Sequence, residues 1–163
     1  MSLRCKAAWS LLFAPFLLAA CARTPVPGAG LLPDETPHLE DLHQLTFGGE
    51  NAEAYWSFDG QQLSLQARHE GQGCDRIYRL AVLPRPGTPV PISSGQGATT
   101  CAHFLPDGSL LYSSTHLGGT ECPPRPDMSQ GYVWALYDSY DIFKVRPDGS
   151  PPVQLTTSKG YDA

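Results

Sequence analysis

Cysteines are the residues of this sequence best suited to do chemistry, and they fall into two groups. Cys21 ends an apolar run that covers residues 7–20, and Cys5 stands just before that run. Three further cysteines lie in the polar, turn-rich region that follows: Cys74, Cys101 and Cys122. A thiol acts as a nucleophile, a disulfide partner or a metal ligand, depending on its surroundings. The elements that surround these thiols therefore decide which chemistry applies.

The apolar run is typical of an export signal. Arg4 and Lys6 precede it, and it is too short to span a bilayer comfortably. It ends in Leu18-Ala19-Ala20-Cys21, which resembles the lipobox of bacterial lipoproteins. The resemblance implies that a signal peptide over residues 1–20 is cut between Ala20 and Cys21, and that the Cys21 thiol then receives a diacylglycerol. An ordinary signal peptide with an incidental cysteine is the alternative.

Residues 21–41 are rich in proline, glycine and small side chains, which predicts a flexible tether after the anchor. Residue 22 is Ala and not Asp; by resemblance to enteric sorting rules, this implies the outer membrane, facing the periplasm. A lipid anchor on Cys21 would make the membrane a partner. The net charge of −5 and the lack of clustered Lys and Arg predict no nucleic-acid partner.

A repeat organises the rest of the chain. Asp59-Gly60 and Asp107-Gly108 are 48 positions apart, and each follows an aromatic residue by three places. Asp-Gly between two apolar stretches predicts a hairpin with a type I′ turn, in which both central residues have positive φ. Short strands repeated at this period, with 16 Gly and 16 Pro in the chain, predict an all-β fold and favour a β-propeller.

Each repeat contains four short apolar segments, which predicts two four-stranded antiparallel blades. Blade one covers about residues 52–93, and blade two about residues 98–157 with an insertion at 116–139. A fourth-type strand at 42–46 precedes blade one. Ile92-Ser93 and Leu155-Thr156 match as members of the two fourth strands.

These segments resemble the TolB-type, WD-repeat-like β-propeller blade, whose consensus is roughly Trp-Ser-Pro-Asp-Gly-Lys with a closing Leu-Thr. The matching residues are Trp56 to Gly60, Phe104 to Gly108 and the Gln154-Leu155-Thr156 ending. The resemblance covers about residues 42–163. It implies a propeller fold and says little about function.

The blade topology places Cys74, Cys101 and Cys122 at the same end of the blades. In an oxidising compartment one disulfide is expected, and Cys101–Cys122 is preferred because both lie in one blade; Cys74–Cys101 is the alternative. A zinc site that adds His103 or His116 lacks any Cys-x-x-Cys pair, so no metal and no cofactor are expected.

Aromatic residues in the insertion are the candidate partner-binding residues: Tyr132, Trp134 and Tyr137. Aromatic side chains at a loop face often form recognition surfaces. Packing of the insertion onto the blade is the other interpretation. No Gly-x-Ser-x-Gly, His-Glu-x-x-His or P-loop pattern occurs, so no catalytic residue is assigned.

The sequence therefore predicts an envelope-anchored, non-catalytic β-propeller module that binds a protein or polysaccharide. The alternative is the N-terminal propeller portion of a secreted hydrolase, prolyl-oligopeptidase-like or another peptidase, whose catalytic domain is not in this chain. Two blades do not close a ring of four to eight, so we expect a truncated chain. A small open β protein that dimerises through its edges is the other possibility.

Overall fold

A computed structural model describes residues 31–40 and 42–163. The signal peptide, its cleavage site at Ala20–Cys21 and most of the tether lie outside these residues. The chain divides into two units, residues 1–43 and 44–163. In the first, a short turn covers residues 33–38, where the Leu39 N–H donates to the Glu35 carbonyl at 2.9 Å. Among the described residues there is no helix that is long and apolar enough to cross a membrane.

The second unit is all-β, with eight strands in two antiparallel sheets. The first sheet contains β1 (Glu50–Trp56), β2 (Gln62–Arg68), β3 (Arg76–Ala81) and β4 (Val90–Pro91). The second contains β5 (Thr99–Phe104), β6 (Leu110–Ser114), β7 (Asp141–Val145) and β8 (Val153–Gln154). In both sheets each strand pairs with its neighbour along the chain. The expected pair of four-stranded antiparallel sheets is confirmed.

The two sheets repeat the same hydrogen bonds where their last strands end. The Ile77 N–H donates to Ser93 Oγ at 3.0 Å, and the Ile142 N–H donates to Thr156 Oγ1 at 2.9 Å. The Ile77 and Ile142 carbonyls then accept the N–H groups of Ile92 and Leu155, both at 2.8 Å. Ile92 and Leu155 therefore occupy equivalent positions.

The hairpin turns differ from the expected type I′ geometry. In the second sheet the Gly108 N–H donates to the Leu105 carbonyl at 2.9 Å, and φ is +77° at Gly108, whereas Asp107 does not have positive φ. This pattern fits a type I turn followed by a left-handed glycine. Pro106 favours it because the proline ring locks φ at the negative value that the first central residue of a type I turn needs. The Asp107 carboxylate adds a bond from the Ser109 N–H at 2.9 Å.

The first strand of each sheet contains one irregular residue. Glu53 in β1 and Cys101 in β5 have φ of +48° and +55°, and the strand register shifts at each of them. Both precede the Asp of their own hairpin by six places. Such bulges turn a strand and redirect its side chains. The Cys101 side chain therefore departs from the regular alternation of β5.

The sheets pack against each other through a small apolar core. Ile77 of β3 is completely buried among Ala102, Tyr112 and Phe143 of the second sheet, and Ile92 packs against the same cluster. Ser64 Oγ also donates to the Ala102 carbonyl across the interface at 2.5 Å. The equivalent Leu155 has no such cover and is 51% exposed.

Two expected segments carry no regular structure. Residues 42–47, where a strand at 42–46 was expected, form no ladder with any described strand. Residues 116–139, the predicted insertion, consist of turns and extended chain between β6 and β7.

Candidate functional site

The sheets have two unlike ends. The β2–β3 loop and the β6–β7 insertion meet at one end, and the hairpin turns that contain Asp-Gly lie at the other. The first end holds the residues that the sequence singled out, and it contains a cleft of about 230 Å³. We call it the loop-end cleft. Its aromatic and cationic lining comprises Trp134, Tyr137, Tyr140, Tyr161, Arg68 and Arg125.

A disulfide joins the two loops at this cleft. It connects Cys74 to Cys122, with 5.8 Å between the Cα atoms, and Cys101 is a free thiol. The preferred pair Cys101–Cys122 and the alternative Cys74–Cys101 are therefore both corrected. Cys74 and Cys122 lie in facing loops, whereas Cys101 lies within β5 at the bulge, and its thiol contacts the Thr100 hydroxyl at 3.3 Å. A cross-link of this kind holds the two cleft walls together.

Gln66 forms the polar floor of the cleft. Its Nε2 donates to Asp75 Oδ2 at 2.6 Å, and its Oε1 accepts the Thr100 hydroxyl at 2.9 Å and the Cys101 N–H at 3.2 Å. One amide from β2 thus ties β5 and the start of β3 together. The Asp75 carboxylate is thus engaged inside the protein through one of its oxygens.

The insertion contributes the aromatic wall. Trp134 is 61% exposed and lines the cleft together with Tyr161. Tyr140 and Tyr161 make an edge-to-face contact with ring centroids 5.1 Å apart, and burial raises the pKa of Tyr140 to about 12. The Tyr137 hydroxyl donates to the Pro124 carbonyl, which fixes the proline-rich part of the insertion against the wall. The rings therefore form a preorganised surface.

Only part of this surface was predicted from the sequence. Trp134 and Tyr137 line the cleft as expected candidates, whereas Tyr132 is 76% exposed and does not line it. Tyr161 was missed because it follows the last strand and carries no motif. Its placement comes from the Asp162 N–H, which donates to the Tyr140 carbonyl at 3.1 Å.

Two arginines border the cleft beside the aromatic wall. Arg68 forms an ion pair with Glu50, and that hydrogen bond lowers the pKa of the Glu50 carboxyl. Arg125 follows the two prolines of the insertion and acts on Glu50 only at longer range. Arg125 makes no ion pair with any residue that the structure describes. It is therefore the cation of the cleft that remains open to a partner.

A serine–histidine pair near the cleft resembles a nucleophile with its base. Ser114 Oγ lies 2.8 Å from His116 Nδ1, and Asp141 acts electrostatically on His116. Ser114 is, however, only 1% exposed, and its Oγ also accepts the His116 N–H at 3.2 Å. The Asp141 carboxylate is held by Gln154 and Thr156. These bonds form a local turn at the end of β6. Because Ser114 is buried, a substrate has no access to its hydroxyl.

Among residues 31–40 and 42–163, no three His, Cys, Asp or Glu side chains lie close enough together to hold a metal ion.

The Cys101 thiol is the free cysteine of the described residues, and burial is the main cause that raises its pKa. The thiol is therefore mostly protonated near neutral pH. What the cleft offers chemically is a set of aromatic faces and a guanidinium group.

Comparison with known proteins adds no relative: no protein-family model, no curated protein and no solved structure matches this chain.

Proposed function

We propose that this chain is a non-catalytic binding module of the bacterial cell envelope, built from blades of a TolB-like β-propeller and anchored through a lipid on Cys21. Its partner, a protein or a polysaccharide, binds in the loop-end cleft. The observation that carries the proposal is the aromatic wall of Trp134, Tyr137, Tyr140 and Tyr161 beside Arg125. Rigid rings next to a cation are typical of recognition surfaces.

Two features support binding over catalysis. The polar groups of the floor are engaged by Gln66, which leaves the rings and Arg125 as the accessible chemistry. Aromatic faces stack on sugar rings and on peptide side chains, so both partner classes suit the wall.

Site-specific photo-crosslinking in living cells tests the cleft. A photoreactive phenylalanine at position 134 is expected to give a specific adduct, and the same residue at position 132 is the matched control because Tyr132 is exposed outside the cleft. A protein partner gives a discrete band, whereas a polysaccharide gives a smear that glycosidases collapse. Arg125→Ala should weaken the adduct at position 134. Equal adducts at both positions, or no adduct at position 134, would refute the proposal that the partner binds in the loop-end cleft.

The anchor is tested separately by metabolic labelling with palmitate. The unaltered chain should incorporate the label and sediment with membranes, whereas Cys21→Ala should do neither. Equal labelling of both chains would exclude lipidation at Cys21.

A further inference from the structure

A second pocket lies at the opposite end of the sheets, where the hairpin turns approach one another. It is larger than the loop-end cleft, at about 360 Å³, and we call it the turn-end pocket. Its apolar wall is formed by Val90, Ile92, Leu110 and Val145, from both sheets. A pocket of this size accommodates a small organic molecule, whereas a bare inorganic ion would leave most of it empty.

Two arginines line this pocket without forming an ion pair. Arg79 on β3 is half-buried, and Arg146 follows β7. Neither makes an ion pair or a side-chain hydrogen bond with the part of the chain that the structure describes. Lys144 on β7 differs, because it is paired with Asp107 at 2.8 Å and does not line the pocket. The lining contains these two cations and no acidic residue, so the pocket attracts an anion.

Two acidic residues, Asp107 and Asp148, each precede a glycine of the lining and do not line the pocket themselves; Asp107 is paired with Lys144, so Asp148 is the one to consider. Its carboxylate accepts the Ser150 N–H at 2.9 Å. Hydrogen bonding by Ser150 is the main cause that lowers the pKa of Asp148, and Arg146 adds only a weaker electrostatic effect. Asp148 is therefore oriented by its own turn and leaves the Arg146 guanidinium available.

Ser150 provides a third polar group. It lines the pocket, and its buried Oγ makes no hydrogen bond of normal geometry among the described residues, although the Asp148 carboxylate is close. Native proteins seldom leave a buried hydroxyl without a well-formed bond, because the desolvated group is destabilising. The Asp148 carboxylate is the acceptor nearest to this hydroxyl, so Arg79 and Arg146 are the free donors of the lining.

We propose that the turn-end pocket binds a carboxylate carried on a small apolar body. The guanidinium groups of Arg79 and Arg146 donate to the carboxylate, and the aliphatic wall covers the body. Guanidinium groups suit carboxylates because planar donors match two oxygens, and such charge-assisted bonds are about twice as strong as neutral ones. The pocket lies away from the loop-end cleft, so this proposal does not depend on the proposed function.

Isothermal titration of the full chain with hexanoate tests the pocket. Hexanoate is expected to bind at one saturable site, and hexanamide, its neutral isostere, should bind about tenfold more weakly because it lacks the charge. Arg79→Gln and Arg146→Gln should each weaken hexanoate binding by a similar factor. Arg85→Gln is the matched control, because Arg85 is exposed on the β3–β4 loop and does not line the pocket.

The outcomes are distinct. No saturable binding of hexanoate would overturn the proposal, and so would equal affinity for hexanamide. Retention of the parental affinity by either arginine variant would overturn it too, provided that thermal melts show the variants to be folded. A loss in Arg85→Gln equal to that in the pocket variants would overturn it as well, because it would indicate a general charge effect instead of a site.

Discussion

Cys74 and Cys122 occupy the same place in the two repeats, and they are bonded to each other. Positions 59 and 74 are as far apart as positions 107 and 122, so each cysteine follows the Asp of its own hairpin turn at the same spacing. The disulfide thus joins two equivalent loops across the sheet interface. The repeat that organises the sequence therefore also organises its cross-link, and the same bond braces the loop-end cleft.

Loss of this disulfide should destabilise the protein. The bond closes a loop with a sequence separation of 48, for which chain entropy gives about 4 kcal/mol. Cys122→Ser should lower the free energy of unfolding by about this amount in urea titrations. Cys101→Ser should leave the bond intact in non-reducing peptide maps; a lost Cys74–Cys122 peptide in that variant would contradict the pairing.

Removal of the Tyr112 hydroxyl should stabilise the core. The ring is buried with Phe143, the hydroxyl has no partner among the described residues, and burial raises the pKa of Tyr112 to about 12. Tyr112→Phe should therefore raise the free energy of unfolding by up to about 1 kcal/mol. Tyr78→Phe is the control, because the Tyr78 hydroxyl accepts the Gln72 amide at 3.0 Å, and its loss should destabilise. Equal effects of the two variants would disprove the explanation.

The Asp107–Lys144 pair should make the free energy of unfolding depend on pH in the acid range. The Lys144 hydrogen bond is the main cause that lowers the pKa of Asp107 from 3.8 to about 2. Because the folded pKa lies below the unfolded one, the contribution is fully present above about pH 4 and is lost as the pH falls toward 2. The stability difference between the unaltered chain and Asp107→Asn should shrink over this window.

Titration followed by nuclear magnetic resonance checks directly whether Lys144 lowers the pKa of Asp107. The carboxyl carbon of Asp107 should titrate near pH 2, and Lys144→Gln should move its midpoint upward. Lys159→Gln removes a different surface cation, which lies 3.7 Å from Asp138, and should leave the midpoint unchanged. An unchanged midpoint in Lys144→Gln would rule out the pair as the cause.

The Cys101 thiol should react slowly in the folded protein. Burial raises its pKa, although the Thr100 hydroxyl at 3.3 Å opposes the shift. Iodoacetamide should therefore alkylate Cys101 more slowly in the folded chain than in guanidinium, with a rate that rises at alkaline pH. Peptide mapping separates it from the other cysteines. Equal rates in the two states would refute a protected thiol.

Ile92 and Leu155 form a natural matched pair. They make the same backbone hydrogen bond, but Ile92 packs into the core between the sheets and Leu155 is half exposed. Ile92→Ala should cost about 2 kcal/mol or more, and Leu155→Ala less than about 1 kcal/mol. Thermal or urea unfolding measures both. Similar losses of stability would contradict the difference in burial between Ile92 and Leu155.

The sequence predicted the strands better than the contacts between them. The repeated hairpins and the match of Ile92 with Leu155 rest on local patterns, so periodicity was enough. The turn type was wrong because Pro106 and the Asp107 carboxylate decide the geometry, beyond the Asp-Gly pair itself. The predicted Cys101–Cys122 pairing was wrong because Cys101 lies at a backbone bulge, which cannot be predicted from the residue type.

The candidate site was predicted in part for a similar reason. Aromatic content pointed to Trp134 and Tyr137, but Tyr161 joins the wall through the path of the last residues. Arg79 is far in sequence from Arg146 and Ser150, and they meet only because the turns of both sheets converge. Residue type alone does not reveal a pocket that two sheets build together.

The meander topology has a consequence for the order of folding. Every ladder joins strands that are neighbours along the chain, so each sheet can form from short loop closures, which are fast. The bonds from Ser64 and Gln66 across the interface need both sheets to exist first. Oxidation of Cys74 and Cys122 would then follow the docking of the two sheets. The disulfide would stabilise the docked sheets without directing how they form.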